Sequence, residues 1–266
     1  MRPCLLISQM RSGSNVLRNI LRQADGIVDA GEVLHPGEFG FKDKRRFYQF
    51  QAKVVQNEPI FILPERRKAL WSVFLQHLES IASPRKTADR RILLIDIKYF
   101  LLNSLDGWAT LPSTPPWLLS DMIARGGLII HLTRRDLVRQ IISRLMAEAT
   151  GQWSRKSHNA PVIHKLIVNL PAFRNRYIEY QNERRAVAKM LELYQHQSMK
   201  FYEDLFPLDQ SQPQLHEWQD LGNFLGVDLG KIEPTLVKQG TYNIADVVQN
   251  YEEFSECVQR LPSDTD

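Results

Sequence analysis

Leu5-Leu6-Ile7-Ser8-Gln9-Met10-Arg11-Ser12-Gly13-Ser14-Asn15 is the stretch from which the rest of the chain is best read. An apolar run suited to a buried strand enters a small, polar turn, and the turn opens directly into a helical pattern. Gly13 lets the backbone turn tightly. Ser12, Ser14 and Asn15 are residue types that cap a helix, whose first amides then face an anion, and Arg11 adds a permanent forked charge. The stretch therefore predicts an anion-binding loop, with a purely structural strand–turn–helix junction as the alternative.

Outward from the loop, Val16, Leu17, Ile20 and Leu21 fall at helical spacing, with Arg18, Asn19 and Arg22 on the other face. Asp25-Gly26 ends this helix, and a short apolar pair, Ile27-Val28, follows. Residues 29–38 are rich in Gly and Pro and read as irregular. They place Glu32, His35 and Glu38 close behind the anion loop.

Two further strands carry charge at their carboxyl ends. Residues 91–99 read as a buried strand that delivers Lys98, a site candidate where open α/β sheets place functional side chains; a lysine snorkelling to solvent is the bland alternative. Residues 126–133 form another apolar strand, running into Arg134-Arg135-Asp136 and a helix from Leu137 to about Glu148, with Asp136 as its cap. Arg134 and Arg135 thus repeat the pattern of the opening stretch, and Ser143 lies two helical turns along on the face of the cap.

The remaining patterns are those of a framework. Helices are predicted over 64–81, with Leu70, Trp71, Phe74, Leu75 and Leu78 as a core stripe, and over 117–124, 171–196, 215–225 and 245–260; a short strand is predicted over 198–202. Residues 42–58 are basic and aromatic and read as an amphipathic helix, with a nucleic-acid face as the alternative. With 43% hydrophobic and 24% charged residues the chain can bury a full core, and 34 Lys and Arg against 30 Asp and Glu leave a net charge of +4, too mild to predict nucleic acid as a partner. Cys4 and Cys257 stand apart, with no companion at metal-ligand spacing, so no metal site is expected. No apolar run approaches the roughly 18 residues of a membrane span, and the expectation is a soluble, cytoplasmic protein. Alternating strands and helices predict one α/β domain over 1–266, a parallel sheet flanked by helices with helical insertions.

Two of these motifs, in this order, carry a resemblance. Gln9-Met10-Arg11-Ser12-Gly13-Ser14 resembles the 5′-phosphosulfate loop of sulfotransferases, and Arg135 with Ser143 resembles their 3′-phosphate motif. The likeness is to the bacterial family that sulfates trehalose and other carbohydrates. It extends through Gln140, Ala147, Thr150-Gly151-Gln152-Trp153, Phe201-Tyr202-Glu203-Asp204-Leu205 and Phe224-Leu225-Gly226-Val227. The resemblance implies a P-loop-like sulfotransferase fold and the donor 3′-phosphoadenosine 5′-phosphosulfate (PAPS). Arg11, Ser12, Gly13, Ser14 and Asn15 would hold its 5′ end, and Arg135, Ser143 and, by a partial match at Lys238-Gln239-Gly240, Lys238 its 3′-phosphate. It further implies Glu32 as base, with His35 or Glu38 as alternatives, and Lys98 at the bridging oxygen. The implied acceptor is a sugar or glycolipid hydroxyl, and a homodimer is one oligomeric state to test for.

Two other readings stay open at this level. A P-loop kinase or NTPase shares the strand–turn–helix loop, although Arg11-Ser12-Gly13-Ser14 stands where Gly-Lys-Ser/Thr would be required. A nucleotide- or RNA-binding module would use the basic aromatic segment 42–58 instead.

Overall fold

The computed structural model describes residues 1–35, 45–81, 92–106, 116–153, 165–206, 215–229 and 243–262. The opening apolar run is β1 (Arg2–Ser8), which leads through the loop into α1 (Ser14–Leu21) and β2 (Ile27–Gly31). Next come α2 (Phe47–Asn57), α3 (Arg67–Ile81), β3 (Ile92–Lys98), α4 (Trp117–Ala124), β4 (Leu128–Thr133) and α5 (Leu137–Thr150). The chain continues with α6 (Leu170–Leu191), β5 (Gln197–Phe201), α7 (Tyr202–Leu205), α8 (Leu215–Leu225), α9 (Ile244–Val247) and α10 (Tyr251–Gln259).

All the strands pair in parallel, in the order β2-β3-β1-β4-β5. Parallel sheets need cover on both faces, which is why β1, β3 and β4 are almost unbroken apolar runs. Strand period splits them between two cores. Leu5, Ile7, Leu93, Ile95, Ile97 and Ile129 pack with α2, α3 and α4, while Cys4, Leu6, Ile92, Leu94, Leu128, Ile130 and Leu132 pack with α1, α7 and α8. A third cluster joins α5 and α6 to the C-terminal helices through Ile141, Ile142, Phe173, Tyr180, Val247 and Phe254. The connection after β1 runs toward β2 and that after β4 toward β5. The crevice above the carboxyl ends of β1 and β4 is therefore the switch point where such sheets accept ligands.

Tertiary contacts redraw several expected boundaries. Asp29-Ala30-Gly31, read as irregular, belongs to β2, because this edge strand follows β3 with a register shift between Asp29 and Gly31. Residues 64–66 form a 3-10 turn and α3 starts only at Arg67, while the predicted stripe from Leu70 to Leu78 is buried throughout. α6 stops at Leu191, short of His196, since the His196 carbonyl already accepts the Ile129 amide at the sheet edge. The single C-terminal helix expected over 245–260 is two helices. Leu166 pairs with Val248, and Asn250 brackets Val168 with both side-chain ends, which holds the intervening chain extended. The rings of 42–58 are not a stacking face: Phe47 is fully buried against Trp71 and Phe74, and Phe50 stacks on His77. Cys4 and Cys257 are free thiols, and burial pushes Cys4 up to about 12 against a smaller opposing effect of Arg2.

A buried pair beneath the crevice sets a pH limit on this fold. Tyr99 Oη lies 2.6 Å from His131 Nε2, and burial, helped by the Arg184 charge, pushes His131 down from 6.5 to about 4. The unfolded chain therefore binds a proton that the folded chain refuses between these values. Stability is complete above pH 6.5 and falls as the pH drops toward 4, by up to roughly 3 kcal/mol from this residue. Urea unfolding from pH 7 to 4 should show that slope, and His131→Gln, which keeps an acceptor for Tyr99 but does not titrate, should flatten it.

Candidate functional site

The loop after β1 holds an unusual backbone. Arg11 has φ 63°, the one positive value outside glycine among the described residues, and Gly13 follows at φ 92°. Gly13 is fixed twice, because a Cβ there would lie 2.3 Å from Cδ2 of Tyr202. Interior contacts brace the rest: Ser12 Oγ donates to the Gln9 carbonyl at 2.8 Å, Gln9 Nε2 donates to the Tyr180 carbonyl and to Glu183, and Gln140 Nε2 donates to the Met10 carbonyl at 2.7 Å.

The predicted side-chain caps of α1 are otherwise engaged. Gly13 is the N-cap residue and no side chain caps the helix. Ser12 closes the turn on itself, Asn15 is exposed and accepts from Arg18 at 3.1 Å, and Ser14 Oγ accepts from Lys98 at 2.6 Å. The Val16 and Leu17 amides donate to the Gly13 carbonyl at 3.0 and 3.1 Å, and no side chain caps the Ser14 and Asn15 amides ahead of them, the condition for an anion at a helix N-terminus.

Arg11 crosses the crevice. Its Nε and Nη2 donate to Ser143 Oγ on α5 at 3.1 and 3.0 Å, and Nη1 donates to the Trp153 carbonyl at 2.6 Å. The loop after β1 and the helix after β4 therefore meet through these two predicted residues. Arg135 goes elsewhere: its guanidinium is bidentate to Asp204 at 2.5 and 2.7 Å and lies over the Phe201 ring at 3.9 Å. That hydrogen bonding raises Arg135 and holds the Asp204 carboxyl below its usual range. Glu203 accepts the amides of Arg135 and Asp136, and Asp136 caps α5 by accepting the Arg139 amide, as expected. Arg134, the other of the two arginines expected at this strand end, is the better buried; it reaches the Arg11 carbonyl and lies over Tyr202.

Beneath α1 lies a buried ion cluster. Lys98, far from snorkelling, donates from Nζ to Asp96 Oδ1 and Oδ2 at 2.8 and 3.0 Å, to Ser14 at 2.6 Å and to Ser8 at 3.3 Å, and stands 3.5 Å from Glu32 Oε1. Arg18, expected on the solvent face of its helix, is instead bidentate to Asp29 at 2.8 and 3.0 Å, with Nη1 3.5 Å from Asp96 Oδ2. Burial opposes the Arg18 charge, but Asp29, Asp96 and Glu32 together outweigh it and raise the group overall. The turn after β2 is held to this cluster, since Arg46 donates to the Glu32 carbonyl and the His35 amide donates to the same oxygen at 3.3 Å. Glu38 and Lys238 lie outside the described residues.

Sequence reasoning thus missed Arg18 and Asp96. Asp96 carried a signal, a carboxylate inside an apolar strand and two residues before Lys98 on the same face. Among the described residues no group of His, Cys, Asp and Glu is arranged to hold a metal, and no helix is long and apolar enough to cross a membrane.

Neither a protein-family model nor a curated protein sequence matches the chain. Among solved structures it is similar to a mouse sulfotransferase, SULT7A1, complexed with PAP, at 12% identity and TM-score 0.43 over 86% of this chain and 60% of that one. A sulfotransferase from Alicyclobacillus acidocaldarius gives 13% and 0.44 over 98% and 94%, and the sulfotransferase domain of the Synechococcus PCC 7002 olefin synthase 17% and 0.38 over 85% and 74%. The chain spans 60% of the mouse protein's length. Likeness at these scores carries no argument about activity, which has to rest on the residues themselves.

Gly13→Ala tests the loop geometry directly. Left-handed backbone costs an L-residue about 1–2 kcal/mol, and the collision with Tyr202 adds to it. The urea midpoint should fall by an amount worth at least ~2 kcal/mol, and Tyr202→Ala in the same chain should make the Gly13→Ala step cheaper.

Proposed function

We propose that the chain transfers a sulfuryl group from PAPS to an acceptor hydroxyl, with a carbohydrate or glycolipid as the acceptor class. One observation carries the reading. Arg11 and Ser143, from the two strand ends that flank the switch point, share hydrogen bonds beside an α1 N-terminus that no side chain caps, with the Lys98 ammonium bonded to Ser14 just inside it.

These residues fit a ligand anionic at both ends of a nucleoside. When bound, the donor supplies a sulfuryl group on a leaving phosphate. The loop of Ser12, Gly13, Ser14 and Asn15 presents the first amides of α1 to the 5′ end, and Arg11 adds a fork that can exchange the Trp153 carbonyl for an anionic oxygen. Ser143 and Arg135 receive the 3′-phosphate. Arg135 does so by trading the Asp204 carboxylate for a phosphate of like geometry. Lys98 supports charge developing on the bridging oxygen, and Glu32, at the crevice side of the cluster, takes the proton of the acceptor hydroxyl. His35 stands in the same turn as the second choice of base.

The kinase alternative gains little support. Such an enzyme would place a divalent cation between the loop serine and an acidic residue of a neighbouring strand, and here the Lys98 ammonium lies at that place, 2.6 Å from Ser14 and 2.8 Å from Asp96. The RNA-binding alternative loses its rings to the core.

Calorimetry with 3′-phosphoadenosine 5′-phosphate, adenosine 5′-phosphate and ATP is the deciding experiment. The bisphosphate should bind most tightly, and Arg135→Ala should weaken it by about tenfold while leaving adenosine 5′-phosphate nearly unchanged, the loss of hydrogen bonding to a charged group. ATP binding as tightly as the bisphosphate sinks the donor assignment. In the transfer assay Glu32→Gln should lower kcat by about 100-fold or more with the donor affinity retained, the usual scale for a lost general base.

A further inference from the structure

Asp96, like Arg18 and Asp29, belongs to the buried cluster and has no task in the proposed chemistry, and of these three it is the one bonded to Lys98. Its side chain is fully buried, and the residues sharing its face of β3, Ile92 and Leu94, are plain core. An apolar side chain would sit there without the desolvation that burying a carboxylate entails before its partners compensate. A fold alone does not call for the charge.

Two carboxylates compete for the Lys98 ammonium, which carries three donors on a flexible stem. Asp96 holds it at 2.8 and 3.0 Å, Ser14 draws it the same way at 2.6 Å, and Glu32 is left at 3.5 Å. Asp96 is itself held by Arg18, 3.5 Å away and locked onto Asp29. In the cluster Lys98 and Arg18 give two positive charges against three negative ones on Asp29, Asp96 and Glu32. The surplus negative charge falls to Glu32, at 21% the most exposed of the five side chains.

We propose that Asp96 is a positioning residue that holds the Lys98 ammonium under Ser14 and keeps its contact with Glu32 at ion-pair distance, 3.5 Å, so that the Glu32 oxygens stay open to the acceptor hydroxyl. The inference rests on the reading of Glu32 as the base. A Glu32 oxygen hydrogen-bonded to the ammonium would be turned from the acceptor hydroxyl, whereas one at ion-pair distance can still reach it.

A double-mutant cycle of Glu32→Gln and Lys98→Met, read by urea unfolding of the full chain, measures the coupling of that pair without any turnover. With Asp96 in place the coupling should change the unfolding equilibrium constant by less than about threefold. In Asp96→Asn it should exceed about tenfold, because the ammonium swings to its remaining carboxylate. In the transfer assay Asp96→Asn should lower kcat at least ~10-fold with the donor KM unchanged, and should add almost nothing when Glu32 is already Gln. Should Asp96→Asn not fold, Ser14→Ala removes the other group drawing Lys98 inward and should raise the coupling in the same sense. Coupling unchanged in every folded variant, or a kcat loss that adds in full to that of Glu32→Gln, overturns the inference. Coupling that rises in a chain whose wild type transfers no sulfuryl group supports the placement of Lys98 and overturns the function proposed for it.

Discussion

A buried ammonium is the constraint around which this structure closes. Lys98 Nζ takes its partners from its own strand and from three other places: Asp96 in β3, Ser8 at the end of β1, Ser14 in α1 and Glu32 after β2. Removing such an ion from water costs several kcal/mol unless all its donors are satisfied, so the partners must arrive together. The strand order β2-β3-β1 makes this possible by setting the three carboxyl ends side by side. The register shift between Asp29 and Gly31 then turns the chain so that Asp29 meets Arg18 and Glu32 meets Lys98.

The loop above the ammonium is limited from its other side by an aromatic ring. Gly13 lies so close to Tyr202 that no larger residue fits, and Arg134 covers the far part of that ring. Because Tyr202 opens α7 directly after β5, the edge strand furthest from β2 fixes the backbone at the centre of the sheet. The positive φ of Arg11 follows from the same geometry: the chain must reverse between β1 and α1 without touching the ring, and that reversal points the guanidinium across the crevice to Ser143.

The framework was largely legible because its signals are local. Unbroken apolar runs and 3.6-residue patterns placed β1, β3, β4, α4 and α8 to within two or three residues, and Asp136 declared itself as a cap. What sequence misplaced was decided by distant partners. β2 is a strand only because β3 offers an edge, and the break between α9 and α10 exists only because Leu166 pairs with Val248. The site divides in the same way. Arg11, Lys98 and Ser143 sit at strand ends or on a capped helix, where position alone signals a role. Arg18 sits on the polar side of an amphipathic helix, and nothing in its neighbours foretells the two carboxylates that the sheet brings beneath it.

Arg135 shows how far a motif's spacing can be separated from its contacts. It stands eight residues before Ser143, yet the two side chains leave β4 and α5 for different partners: Ser143 faces the crevice and Arg11, whereas Arg135 lies along β5 against Phe201 and Asp204. Asp204 and Glu203 come from the turn that also supplies Tyr202, so the acidic partners of the β4 end and the ring over Gly13 move as one unit. The exposed Arg135–Asp204 pair is the weaker tie, since solvent screens it, while Glu203 stays anchored by the amides of Arg135 and Asp136. The Arg135–Asp204 pair can therefore open without releasing Tyr202, so the ring that limits Gly13 is held independently of the exposed pair beside it.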